Sequence, residues 1–217
     1  MKKSLKLIGL AIALVLLLVV LTGCVNNEVT KNAENNVEET EVVETKELSR
    51  GKWENNVYTN EFADIKFRLP EGWNYSSDEE IASMMNISVD LLNEDQQSFA
   101  KIAEQTSVYD MVATNPNTAS SVMVMFEKPL IKVSTEYYIS KVKSELEKLD
   151  SINYTISDDV GTANIAGREY KVVTAAVPAY NLVQKYYITE QDGCFIDILV
   201  TYTEGNNDED IILSSFE

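Results

Sequence analysis

The chain is 217 residues long and sets 18 Lys and Arg against 35 Asp and Glu, with no His and two Cys, for a formal net charge of −17. Without histidine there is no Ser-His-Asp triad, no Cys-His dyad and no His-ligated metal site, and two cysteines are too few for a Cys-only zinc or iron–sulfur centre. The acidity excludes the basic footprint of a nucleic-acid binder, so the composition predicts no cofactor and no nucleic-acid partner.

Met1-Lys2-Lys3-Ser4-Leu5-Lys6 places three cations ahead of an apolar run from Leu7 to Leu21, interrupted only by Gly9, and the chain turns polar at Asn26. These are the n-region and h-region of a secretory signal peptide. The run is marginal for a membrane span, which needs about 20 apolar residues. It ends Leu21-Thr22-Gly23-Cys24, which closely resembles the lipobox of bacterial lipoproteins. The resemblance implies cleavage between Gly23 and Cys24, a diacylglyceryl group on the Cys24 sulfur and, often, acylation of the new amino terminus, for instance by palmitate. It places the mature protein on the outer face of the bacterial cell membrane. Two or three acyl chains anchor stably where one is marginal, because each buried methylene contributes about 0.8 kcal/mol. An ordinary signal peptide with an incidental cysteine, or an uncleaved anchor, are the other readings of this segment. Cleavage removes three lysines and no acid, leaving a more acidic protein. Adhesion must then come from the lipid and not from a basic patch.

Residues 25–50 hold Asn, Glu, Thr and Val without an aromatic residue or a sustained period. Such a segment buries too little apolar surface to offset chain ordering, so it reads as a disordered acidic tether. As a random coil its root-mean-square reach is roughly 25–30 Å. A helix over Glu38–Leu48 is the alternative. The predicted organisation is a signal peptide over 1–23, the lipidated Cys24 and linker over 24–50, and one domain over 51–217.

That domain opens with a predicted hairpin, Trp53 to Thr59 and Ile65 to Leu69 around Asn60-Glu61, with Ile65, Phe67 and Leu69 facing inward. Pro70-Glu71-Gly72 stops the second strand. Ser77-Asp78-Glu79-Glu80 is a capping box that starts a helix. A second helix is predicted over Asp90–Glu104, followed by strands over Val108–Thr114 and Ser121–Glu127. Ile139, Val142, Leu146 and Leu149 make Thr135–Leu149 the clearest amphipathic helix, with Ser134 as its cap. Strands are then predicted over Ile152–Ser157, Gly161–Ile165, Arg168–Val177, Leu182–Glu190 and Cys194–Tyr202. Ala166-Gly167 and Asp192-Gly193 form tight turns, and Asn207 caps a last helix. Runs of strands with helices set apart predict an α+β domain on an antiparallel sheet.

Tyr58-Thr59-Asn60, the stretch Ile65-Lys66-Phe67-Arg68-Leu69-Pro70-Glu71-Gly72-Trp73, the Ser77 helix and Ala166-Gly167-Arg168-Glu169-Tyr170 in a late hairpin resemble a group of uncharacterised bacterial lipoproteins. Their folded part is similar to the PsbP-like α/β sandwich, named for an extrinsic photosystem subunit. The resemblance spans most of residues 51–217. It implies a sheet packed by helices on its two faces, used for protein binding or assembly in several relatives. It implies no catalytic residues and no photosystem role.

Few residues carry chemistry. Cys194 is the only thiol left once Cys24 is acylated, so no intrachain disulfide forms, and without a neighbouring His it reads as a buried small residue. Asp158-Asp159 and Glu79-Glu80 read as a solvated turn and a helix cap. Asp197 lies between Ile196 and Ile198; alternation puts it on the face of Phe195 and Leu199, either solvent-facing or paired with a buried partner. Asn206, Asp208, Asp210 and Glu217 occupy positions 1, 3, 5 and 12 of a twelve-residue loop, but Ile211 stands where a calcium loop needs Gly. Of the pairs Tyr137-Tyr138 and Tyr186-Tyr187, the second sends one ring to each face of a strand, leaving one ring open to solvent or half-buried. Trp53 and Trp73 belong to the core.

The sequence thus predicts a non-enzymatic lipoprotein held to the membrane through Cys24, with a domain that binds a protein or cell-envelope component. The alternatives are a cell-wall glycan or peptide hydrolase using paired carboxylates and a weak divalent-cation-binding module.

Overall fold

The computed structural model describes residues 46–93, 95–149 and 151–217. The predicted signal peptide, Gly23, Cys24 and the predicted tether up to Thr45 lie outside the described residues.

The domain begins with a three-stranded antiparallel meander, β1 (Lys52–Glu54), β2 (Val57–Asn60) and β3 (Ile65–Arg68). The strand predicted from Trp53 to Thr59 is two strands. Asn55 and Asn56 turn the chain with φ of 51° and 63°, the left-handed geometry of a type I′ turn, which Asn tolerates better than most residues. The carboxyl terminus extends this small sheet: the amide of Glu217 donates to the carbonyl of Lys66 at 2.8 Å and that of Arg68 to Ser215 at 2.9 Å.

The main sheet has eight strands: β4 (Asn74–Tyr75), β5 (Val108–Thr114), β6 (Ser121–Glu127), β7 (Thr155–Ile156), β8 (Gly161–Ile165), β9 (Arg168–Val177), β10 (Leu182–Gln191) and β11 (Cys194–Thr203). Its order is β4-β5-β6-β11-β10-β9-β7, with β8 also on β9, and every pairing is antiparallel. Of the predicted strand Ile152–Ser157, only Thr155–Ile156 is a strand. The tight turns occur as predicted, with positive φ at Ala166, Gly167, Asp192 and Gly193.

Helices cover both faces. Helix α1 (Asp78–Met84) starts at the Ser77 capping box, with both reciprocal hydrogen bonds present. The helix predicted over Asp90–Glu104 is two helices, α2 (Val89–Asn93) and α3 (Gln96–Gln105). Asp95 stands between them in extended backbone and accepts from the amide of Ser98 at 2.7 Å, so it caps a new helix instead of continuing the old one. With the meander, α3 covers one face of the sheet: Phe62 and Phe99 both meet Phe126 edge-on. Helix α4 (Thr135–Glu147), capped by Ser134, covers the other, where Tyr138 stacks on Phe195 at 3.9 Å. Helix α5 (Asp208–Ser214) leads into Phe216, which packs on Phe67. Asn207 stands at its cap position without a side-chain cap bond.

This is an α+β domain in which an antiparallel sheet is packed by helices on two faces. The two-sided cover explains why β6 is buried at every position and why Tyr186 and Tyr187 are both buried. The tyrosine expected to be open to solvent or half-buried is under a layer the local pattern does not reveal. Trp73 is core, whereas Trp53 is half-buried and stacks on the exposed Tyr75 at 4.3 Å.

Candidate functional site

Three groups of polar side chains organise the domain, two in its interior and one around a cleft. The first lies between the sheet and α4. Glu127 pairs in register with Phe195, and Met125 with Asp197, so alternation puts both carboxyls on the α4 face. The Tyr138 hydroxyl reaches both, 2.8 Å from Oδ2 of Asp197 and 3.1 Å from Oε2 of Glu127, and Ser107 donates to the same Glu127 oxygen at 2.9 Å. A tyrosine hydroxyl has one proton to give, so it serves one carboxylate and accepts from the other group only if that group is protonated. Burial pushes Glu127 up to about 7. It pushes Asp197 up to about 8, with the charge of Glu127 adding to the effect against the Tyr138 hydrogen bond. Oδ1 of Asp197 has no hydrogen-bond partner among the described residues, a costly position for an ionised oxygen. Of the two alternatives for Asp197, the structure realises the buried, partnered one.

The second group ties the start of the domain to its sheet. Asp110 is the extra residue of a β-bulge, since Tyr109 faces Met125 and Met111 faces Val124. Bulges re-aim a side chain, and the carboxylate of Asp110 turns to the meander. Its Oδ2 accepts from the Gly51 amide at 2.7 Å, from Asn60 Nδ2 at 2.9 Å and from the Tyr58 hydroxyl. Its Oδ1 meets Arg50 Nε at 3.2 Å. The same guanidinium pairs with Asp78 at 3.0 Å and donates to Asn93. One buried carboxylate and one arginine thus join β5, the meander, α1 and α2. Leu48 is already core, so packing begins before Gly51.

An open cleft of about 350 Å³ lies where the chain enters the domain, floored by Leu48, Phe62, Ala100 and Cys194 and rimmed by charges that include Lys46 and Lys128. Lys46 pairs with Asp64 at 2.7 Å and Lys128 with Glu104 at 3.3 Å. Cys194 and Ile196 share the Phe126 face of the sheet, so this cleft and the Glu127–Asp197 pair lie on opposite faces. Burial and the nearby charge of Asp197 push the Cys194 thiol up to about 12, which leaves it protonated and unreactive at neutral pH.

The remaining sequence candidates are scattered. Cys24 and Gly23 fall outside the described residues. Asp208 is buried and accepts from Ser120 Oγ at 2.6 Å and Asn206 Nδ2 at 3.0 Å, while Glu217 pairs with Lys66 and Arg68. Among the described residues no cluster of three or more acids or cysteines could hold a metal ion. Tyr137 is exposed and Tyr138 fully buried. Sequence reading missed Asp110, Glu127 and Arg50. For the two acids the available signal was an acid inside or at the end of an otherwise apolar strand; nothing in the sequence marks Arg50.

No family model matches the chain, and no curated protein does. Among solved structures it is similar to cyanobacterial PsbP (CyanoP) from Synechocystis sp. PCC 6803, in a solution structure, with 14% identity, a TM-score of 0.44, and coverage of 74% of this chain and 90% of that one. It is also similar to LpqN, described as involved in cell envelope biogenesis of Mycobacterium tuberculosis, with 12% identity, a TM-score of 0.38, and coverage of 69% and 75%.

Proposed function

We propose that the protein is a lipoprotein held on the outer face of the cell membrane through Cys24, with an α+β domain that serves as a non-catalytic binding or assembly module for a protein or envelope component. The observation that carries this reading is the separation of the domain's perturbed acids from its cleft. A glycan hydrolase needs one carboxyl kept protonated and a second about 5 to 9 Å away across the substrate. The two carboxyls raised by burial, Glu127 and Asp197, sit under α4 on the far side of the sheet. What the cleft presents is an apolar floor and a mixed-charge rim, the chemistry of a contact surface with orienting polar groups.

The test is a photo-crosslinking residue in place of Gln97, which lines the cleft, in intact cells. A discrete cross-linked species is expected. Release of soluble fragments from cell-wall glycan or peptide by the purified protein, abolished by removing Glu47 and Asp192, the two carboxylates on the cleft rim, would replace the binding role with hydrolysis.

A further inference from the structure

The segment between β6 and α4 reads Lys128-Pro129-Leu130-Ile131-Lys132-Val133. Leu130 is 78% exposed and Ile131 55%, the two most exposed large apolar side chains among the described residues. They stand side by side between two lysines in a protein whose net charge is −17. Lys132 forms no ion pair among the described residues, and Tyr137, in the first turn of the next helix, is 47% exposed. Aliphatic tips with flanking lysines and a nearby tyrosine match the layered chemistry of a bilayer interface, with apolar groups at the acyl boundary and cations and aromatic rings at headgroup level.

The position of the loop selects the occupant. Lys46, where the described chain starts, donates its amide to Asp192 at 3.2 Å, and Asp192 belongs to the turn between β10 and β11. Glu127, the last residue of β6, is in register with Phe195 just past that turn, and Lys46 and Lys128 line the same cleft. Lys46, the first described residue, and the apolar loop therefore lie at one end of the domain. Tyr180 lies beyond the other end of β10, which at the usual rise per residue is roughly 30 Å away.

We propose that the loop Lys128–Val133 is a second membrane contact: Leu130 and Ile131 enter the outer leaflet and dock the domain end-on, with its Tyr180 end pointing away from the bilayer. This rests on the lipid-anchor reading. Two aliphatic side chains hold a free protein weakly, but a tether of some twenty residues raises their effective concentration at the membrane toward the millimolar range, where a weak contact is populated. The docked pose brings the cleft beside the headgroups.

The experiment uses the full mature lipoprotein in phosphatidylethanolamine–phosphatidylglycerol vesicles, with and without brominated acyl chains, after intact-mass measurement of the same preparation. Ile131→Trp is expected to lose emission to the brominated chains beyond the background of Trp53 and Trp73. Tyr180→Trp is expected to lose none. Adding Leu130→Glu to Ile131→Trp is expected to restore the emission. Equal emission from Ile131→Trp in the two vesicle types, with lipid mass present on residue 24, overturns the docking and leaves the anchor intact. Absence of lipid mass overturns both.

Discussion

The hydroxyl of Tyr138 stands 2.8 Å from Oδ2 of Asp197, so the stacked ring that seals α4 onto the sheet also manages the most deeply buried acid beneath it. The pair has a pH signature. Burial raises Asp197 from 3.8 to about 8 and Glu127 from 4.5 to about 7, so the folded state binds these protons more tightly than the unfolded chain. The stability they contribute is complete below the ordinary carboxylate range and is lost as pH rises through about 7 to 8. Glu79 and Glu136, held low first by backbone amides at their helix starts, act in the opposite sense but only at more acid pH. The melting temperature is expected to fall between pH 5 and 8.5. Asp197→Asn is expected to flatten that fall in a thermal scan across the same range; an unchanged slope would remove the pair from the explanation.

Asp110 is the more sensitive half of its ion pair. Its loss leaves the Tyr58 hydroxyl, the Asn60 amide and the Gly51 N–H without their shared acceptor, whereas Arg50→Ala leaves the carboxylate with those three donors. Asp110→Ala is expected to cost on the order of 3–5 kcal/mol and Arg50→Ala about 2 kcal/mol, read from urea denaturation. The reverse order would show that the arginine, not the bulge carboxylate, organises the junction.

Gly51 offers an independent check of the same junction. A Cβ placed there would overlap the ring of Tyr58, a fully buried side chain whose hydroxyl is fixed on Asp110 and has no room to retreat. Gly51→Ala is expected to cost about 1–3 kcal/mol by overpacking. Tyr58→Phe in the Gly51→Ala background frees the ring from Asp110, and urea midpoints of the single and double variants measure how far the hydrogen bond prevents relief of the clash.

The features legible in the sequence are those fixed by local chemistry. Ser77 with Glu80, the Ser134 cap, and Ala166-Gly167 and Asp192-Gly193 specify their backbone without distant help. The apolar runs of β5 and β6 end where predicted because polar turns bound them. Asn55-Asn56 escaped notice because it turns the chain without the usual Gly. The break at Asp95 was hidden because a capping Asp also passes as a polar face residue. Asp197 was placed on the correct face by alternation, but its partners come from α4 and β6, more than fifty residues away. Asp110 was missed because β5 reads as one apolar run, and the bulge that re-aims its carboxylate is set by the pairing with β6 and leaves no mark in the string. Solvent exposure at Leu130 and Ile131 is likewise a property of the assembled surface, not of the string Pro-Leu-Ile.

Cys194 supplies a test of how tightly this end of the sheet is closed. The thiol is buried and pushed up to about 12, although its residue helps floor the cleft. In the folded domain it is expected to stay unmodified by a charged aromatic disulfide reagent at pH 8, and to react at once in denaturant. Rapid native reaction would mean that the Leu48–Phe62 floor opens readily, and the cleft would then have to be treated as the mouth of a larger transient cavity.

Cys24 carries the prediction with the widest consequence for the proposed anchoring. If the Leu21-Thr22-Gly23-Cys24 segment is read as a lipobox, the thiol must be alkylated before cleavage, so Cys24→Ala should accumulate as a precursor with its amino-terminal segment attached. An ordinary signal peptide depends instead on small residues flanking the cut, and alanine in place of cysteine would be tolerated. Whole-cell mass analysis of the variant separates the two. A precursor retained with residues 1–23 supports lipidation. A normally trimmed, membrane-retained product would mean that attachment needs no thioether, and a trimmed product released to the medium would mean that cleavage proceeds without lipidation.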